Sequence, residues 1–393
     1  MVKWGINNNN LKQQNRGMIL KLIATGECSS RIEIAKCSGL TKMSVTNIVS
    51  EFMELGIVEE QDVEPTGGQG RNPICITISQ KAPKLIGLFI HRDSCTAVLC
   101  DLRLQIQKKA VVKITEENSG RLLEKMYEVI DAVMPAEDKV VGIGVGAVGP
   151  VDIRRGMILN PPNFFGIRDF EVTAPLYERY RLPVYLDSQY NCAALAEKYF
   201  GIGKRYHDFV FLGITNGIGS GIICDDRIFR NSHGLTSEIG HISIDWKGER
   251  CSCGNRGCLE MYAGARVIEK VLCECTGERK SFREFCWKAD ELGERGDAIF
   301  RKMMDSIACA LTSLVNLMNP QAVIVGHEGF WLPDVWLKYL EKEINKMQLS
   351  RDYRSIVIRK SSFEEEAHLR GCVCTVLNKV FEGEITVGDN AAL

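Results

Sequence analysis

Apolar residues in the first eighty positions recur at helical spacing. In the following three hundred they gather into short β-rich runs separated by amphipathic stretches. Ile19, Leu20 and Ile23 mark one face of a first helix over 16–24. Ser30, followed three residues on by Glu33, is a capping box and predicts a second helix that stops before Ser38-Gly39, where glycine supplies the backbone freedom of a tight turn. Thr41 caps a third helix with Val45, Ile48, Val49, Phe52 and Leu55 on its apolar face. Ile57-Val58 and the alternating 74–78 run flank the glycine-rich 66–73 and predict two strands around a turn bearing Arg71. Two short helices joined at a glycine, then a two-stranded wing, predict a winged helix-turn-helix over 1–80.

Polar, proline-containing 79–83 reads as a linker. Strands are predicted over 85–90, 97–101, 111–114 and 140–146, with a helix over 121–133. The alternation restarts at Phe209–Ile214, and 364–381 predicts a closing helix. The fold class is therefore α/β, with a second domain over 84–393 made of two lobes, the second beginning near residue 206.

Charge changes the picture at one end only. The whole chain carries a formal net charge of -1, but residues 1–50 hold seven Lys or Arg against two Glu, which favours nucleic acid as a partner there. On the outward face of the third helix, Thr41, Lys42, Ser44, Thr46 and Asn47 suit base edges and phosphates, with Arg71 reaching from the wing. Glu51 and Glu54 further along would repel phosphate, so contact is expected to centre on the N-terminal half. The 16 cysteines lie in a large chain with no signal core at its start and no bilayer-length apolar run. That points to a cytoplasmic protein with reduced thiols and no membrane association. Cys95, Cys100, Cys224, Cys372 and Cys374 read as small buried hydrophobes.

The densest chemistry lies between Glu238 and Glu260. His241, Cys251, Cys253 and Cys258 offer one imidazole and three thiolates, the donor set of a closed, structural Zn2+ site with no position left for a reactive water. Glu238 and Glu260 bracket these ligands and could present directed acceptors to sugar hydroxyls, or instead orient the metal ligands. Glycine-rich 215–221 is a candidate phosphate cradle, a weak signal by itself.

These residues carry a resemblance. Glu238-Ile239-Gly240-His241 with the 251–260 run, Gly149-Pro150-Val151-Asp152, Pro162-Asn163-Phe164, 193–197 and 319–326 resemble the ROK family of bacterial sugar kinases and sugar-responsive repressors. The added winged helix matches its repressor branch, of the xylose-repressor and N-acetylglucosamine-repressor type. The resemblance implies a two-lobed, actin-like (RNase H-like) fold, a sugar between the lobes and a homodimer or homotetramer. It also implies Asn163, Glu238, His241 and Glu260 as sugar contacts, with Ser188 and Gln189 replacing the usual acid pair.

Three departures bear on catalysis. The first-strand phosphate loop of the kinases is replaced by His91-Arg92-Asp93-Ser94. Gln189 stands where the kinases place their general base and cannot accept a proton. The glycines of the adenosine side are interrupted as Gly326-His327-Glu328-Gly329. Asp187, two residues before Gln189, would lie roughly 7 Å off along an extended strand, too far to substitute. The expected protein is thus not an enzyme but a DNA-binding repressor of carbohydrate-utilisation genes that responds to a sugar effector. The rivals are an active sugar kinase with a DNA-binding appendage and a regulator controlled by a protein partner.

Overall fold

The computed structural model describes residues 8–62, 74–115, 118–137 and 139–388. The chain forms two compact units, one from residues 1–145, 171–186 and 372–393, the other from 146–170 and 187–371.

The first unit opens with α1 (Asn8–Ala24), α2 (Arg31–Ser38) and α3 (Lys42–Glu54), followed by the antiparallel pair β1 (Val58–Asp62) and β2 (Ile74–Ile78). The Ser30 hydroxyl accepts from Glu33 N at 3.3 Å, and the Glu33 carboxylate accepts from Ser30 N at 3.2 Å, so both ends of the expected capping box are made. At Gly39 φ is 70°, and its N–H reaches the Ala35 carbonyl at 3.1 Å. Ile19, Leu20 and Ile23 of α1 are buried, as are Ile34 of α2 and Val45, Ile48, Val49 and Phe52 of α3. Leu55 lies beyond the end of α3 and is exposed.

Helix α1 begins eight residues earlier than its apolar spacing indicates. Residues from the far end of the chain pack on the part of α1 that the spacing did not indicate and on its middle. A Cβ on Gly17 would stand 2.5 Å from the Val380 carbonyl, Gly383 packs on the backbone of Gln13, and Gly388 lies over Leu55 and Ile57. Residues 380–388 therefore pack along α1 and over the residues that follow α3. Arg16, buried on α1, pairs with Glu51 of α3, which also lies 3.9 Å from Lys12. Phosphate repulsion by Glu51, expected from sequence, is thereby offset within the unit.

The same unit holds β3 (Lys84–Ile90), β4 (Ser94–Cys100), β5 (Ile106–Lys113), α4 (Ser119–Val133) and β6 (Val140–Ala147); β3, α4 and β6 lie close to their predicted spans, whereas β4 and β5 pair as an antiparallel ladder that begins before the predicted 97 and 111. Three two-residue strands follow in the chain, β7 (Val151–Asp152), β8 (Met157–Ile158) and β9 (Phe170–Glu171), which belong largely to the second unit; α5 (Thr173–Tyr180) and most of β10 (Val184–Ser188) are back in the first. The main sheet has the order β10-β6-β3-β4-β5.

The second unit takes in α6 (Gln189–Phe200), earlier than a boundary near residue 206, because α6 packs on the hairpin β11 (Phe209–Ile214)–β12 (Ile218–Cys224). After β13 (Arg227–Ile228) come α7 (Glu260–Ala263), α8 (Ala265–Thr276), α9 (Phe282–Trp287), α10 (Gly293–Met318), β14 (Ala322–His327), α11 (Asp334–Met347) and β15 (Val357–Lys360). Its sheet runs β13-β12-β11-β14-β15, with β14 parallel to both neighbours. Leu212, Phe285, Phe300, Leu311 and Val325 belong to its core. Helix α12 (Ala367–Phe381) closes the chain. Of the cysteines read as buried, Cys224 is exposed at the end of β12, whereas Cys95, Cys100, Cys372 and Cys374 are buried. Among the described residues no helix is long and apolar enough to cross a membrane.

Candidate functional site

The second unit gathers the 238–260 chemistry through backbone contacts. A short turn, Ile239–His241, leads into a loop whose Ile244 N donates to Gly257 O (2.8 Å) and whose Leu259 N donates to Ile242 O (3.0 Å). The Asn255 amide donates to the His241 carbonyl at 3.2 Å. As a result His241, Cys251, Cys253 and Cys258 bring their ligand atoms within 4.8 Å of one another. Cys253 Sγ and Cys258 Sγ are 3.6 Å apart, and Cys251 Sγ lies 3.8 Å from His241 Nδ1. A tetrahedron with metal–sulfur bonds of about 2.3 Å has edges of about 3.8 Å, so the donors fit a four-coordinate metal. Burial, then the neighbouring thiols, push the Cys258 thiol up to about 12, a cost that a bound cation relieves.

The bracketing carboxylates converge on the same place. Glu260 Oε1 lies 3.6 Å from His241 Nδ1 and accepts from the Cys251 thiol at 3.6 Å. Glu238 Oε1 accepts from the Thr236 hydroxyl at 3.2 Å, and burial pushes its carboxyl above the ordinary range against the pull of His241. Backbone approaches both groups closely. A Cβ on Gly149 would come 3.3 Å from Glu238 Oε1, and one on Gly217 would come 2.9 Å from Glu260 Oε2. Two acceptors and an imidazole edge held beside bare backbone can bind a polyhydroxylated ligand.

The other predicted contacts are placed differently. Ser188 caps α6, its buried hydroxyl accepting from Asn191 N at 3.2 Å, so only its own O–H remains to donate. Gln189, the first residue of α6, is buried. Asn163 is exposed in left-handed backbone (φ 55°) and hydrogen-bonds to none of these residues among the described ones. Asp187 is fully buried. Its carboxylate accepts from Ser188 N (2.8 Å), Asn191 Nδ2 (2.7 Å) and Arg230 Nη2 (2.6 Å), so both of its oxygens are already engaged.

Tyr190, a residue that the sequence reading did not single out, accounts for two glycines in and beside the 215–221 stretch, Gly213 and Gly219. Gly213 and Gly219 face each other across β11 and β12. A Cβ on Gly219 would stand 1.9 Å from the Tyr190 ring, and one on Gly213 would stand 2.5 Å from it. The Tyr190 hydroxyl lies 3.4 Å from Thr215 Oγ1. Behind the ring, His327 sits 5.5 Å away and stacks on His368 at 4.7 Å. These glycines make a seat for an aromatic ring. A large aromatic side chain entering a small-residue helix, opposite glycine-bearing strands, was the available signal.

In the first unit, Thr41, Lys42, Thr46 and Asn47 are exposed on α3 and Ser44 is half-buried. Thr41 Oγ1 accepts from Ser44 N at 3.1 Å, and the Thr46 hydroxyl donates to Lys42 O at 2.8 Å. Arg71 lies outside the described residues.

Known proteins share this architecture. The profile of the ROK family matches residues 85–379. A protein named xylose repressor, from Caldicellulosiruptor bescii, is 28% identical over 94% of this chain and 96% of its own length. The crystal structure of a ROK family transcriptional regulator, a homologue of the Escherichia coli Mlc protein, superposes with TM-score 0.80 at 25% identity, covering 95% of this chain and 98% of that one. A ROK hexokinase from Thermus thermophilus, 26% identical with TM-score 0.63, covers 76% of this chain and 99% of its own.

Proposed function

Because the chain belongs to the ROK family, we propose that it is a sugar-responsive DNA-binding transcriptional regulator that represses carbohydrate-utilisation genes in the cytoplasm. The carrying observation is likeness along the whole chain to proteins named as a repressor and a transcriptional regulator, whereas the hexokinase likeness spans only 76% of it.

In this reading residues 1–80 are a winged helix-turn-helix. Thr41, Lys42, Ser44, Thr46 and Asn47 meet operator DNA at the start of α3, with Arg71 on the wing. Residues 84–393 are the sugar-binding domain of a homodimer or homotetramer. Glu238, His241 and Glu260 hold hydroxyls, with Gln189, the Ser188 hydroxyl and Asn163 completing the set. His241, Cys251, Cys253 and Cys258 hold a structural Zn2+, which supplies rigidity to the wall carrying both glutamates.

The domain does not phosphorylate its sugar. Gln189 has no lone pair basic enough to take a proton, the Asp187 carboxylate is engaged by Arg230, and the Tyr190 ring is packed on Gly213 and Gly219, beside the candidate phosphate cradle. Regulation then rests on unequal affinity of the sugar for the DNA-competent and DNA-incompetent states.

The test is release from a duplex that the full chain selects from a random pool. A panel of aldoses should contain one that shifts binding of this duplex at least tenfold, and a coupled assay with ATP should show no turnover with any of them. Indifference to every sugar, or robust turnover, overturns the reading.

A further inference from the structure

On the DNA-facing surface one side chain has no polar role. Met43 is 70% exposed, one residue after Lys42 opens α3. It lies outside the buried stripe of Val45, Ile48, Val49 and Phe52. On a helix its near neighbours are the residues three and four positions on, Thr46 and Asn47. Because the Thr46 hydroxyl donates back to Lys42 O, the outer part of that side chain is left largely to its methyl group. Met43 and Thr46 thus form a small apolar spot between Lys42, which attracts phosphate, and Asn47, whose amide matches the N6/N7 edge of adenine.

We propose that Met43 determines operator specificity by packing its thioether on the 5-methyl group of a thymine in the major groove, beside an adenine held by Asn47. This rests on the DNA-binding reading. The thymine methyl is the one apolar group on the major-groove edges, and a flexible, polarizable side chain without hydrogen-bonding demands is suited to it. Charge complementarity favours this occupant: residues 1–50 are strongly basic, and Glu51, the acid nearest on α3, is already paired with Arg16 and Lys12. Ile32 is an internal control. It is 71% exposed on α2, but its neighbour Arg31 reaches Met53 at the far end of α3 (3.6 Å).

The experiment uses the full chain and the selected duplex, with each thymine replaced singly by deoxyuridine, which lacks only the methyl group. Wild type should weaken about fourfold at one or two thymines, the factor expected for one buried methyl. Met43→Ala should bind thymine and uracil duplexes equally at those positions, whereas Met43→Leu and Ile32→Ala should keep the discrimination. A uracil penalty of the same size in Met43→Ala as in wild type overturns the proposal, as does the absence of any penalty in wild type. Failure to retain any duplex instead overturns the DNA-binding reading, and this proposal with it.

Discussion

Tyr190 and Gly219 are matched in shape: the ring lies so close to the glycine that a Cβ there would stand 1.9 Å from a ring carbon. The contact spans α6 and β12 and couples the two positions energetically. Gly219→Ala should cost roughly 1–3 kcal/mol by overpacking. Tyr190→Ala should cost about 3 kcal/mol through the void it leaves. The double variant should lose clearly less than the sum, because the alanine methyl then has room. Chemical denaturation of the four proteins measures the coupling, and strict additivity would contradict the packing described.

The base position should not be repairable by one change. Gln189→Asp restores a carboxylate but leaves Tyr190 in its seat, so turnover with ATP should stay at background across a panel of aldoses. Isothermal titration with a non-hydrolysable ATP analogue should likewise show no binding. Robust turnover by this variant would mean that the glycine seat is open to phosphate after all.

Glu238→Gln removes a carboxylate that feels the charge of His241 while keeping its volume. Loss of a hydrogen bond to a charged group is worth about 1.5–3 kcal/mol, so the sugar concentration for half-release of DNA should rise at least about tenfold. Affinity for DNA without sugar should be unchanged, as fluorescence anisotropy would report.

Metal removal should act on stability first. Cys258→Ser deletes a buried donor from a four-donor cluster. Elemental analysis should show loss of one zinc per chain, and calorimetry should show a lower melting temperature by several degrees or more. Equal metal content in wild type and variant would refute the ligand set.

Lys42→Ala should weaken binding to all duplexes alike and reduce the slope of log affinity against log salt by about one. Asn47→Ala should instead flatten selectivity at one position. These two signatures separate phosphate contact from base readout.

What the sequence disclosed was local. The Ser30–Glu33 box, Gly39 and the Thr41 cap act within one helical turn, so α2 and α3 could be placed from their own residues. The His241, Cys251, Cys253 and Cys258 spacing was equally readable, because one loop carries all four. What remained hidden depends on distant partners. The packing of α1 at Gln13 and Gly17 involves residues 380–383, the charge of Glu51 is offset from α1, and Gly213 and Gly219 are explained only once Tyr190 is seen against them. The capping role of Ser188 required knowing where α6 begins.

Residues 380–388 pack on Gln13 and Gly17 of α1 and over Leu55 and Ile57. The helices proposed to meet DNA therefore share a packed layer with a segment remote from them in sequence. A bulky side chain at Gly383, whose Cβ would stand 2.6 Å from the Gln13 backbone, would be felt along α1 although Gly383 lies far in sequence from every residue assigned to DNA.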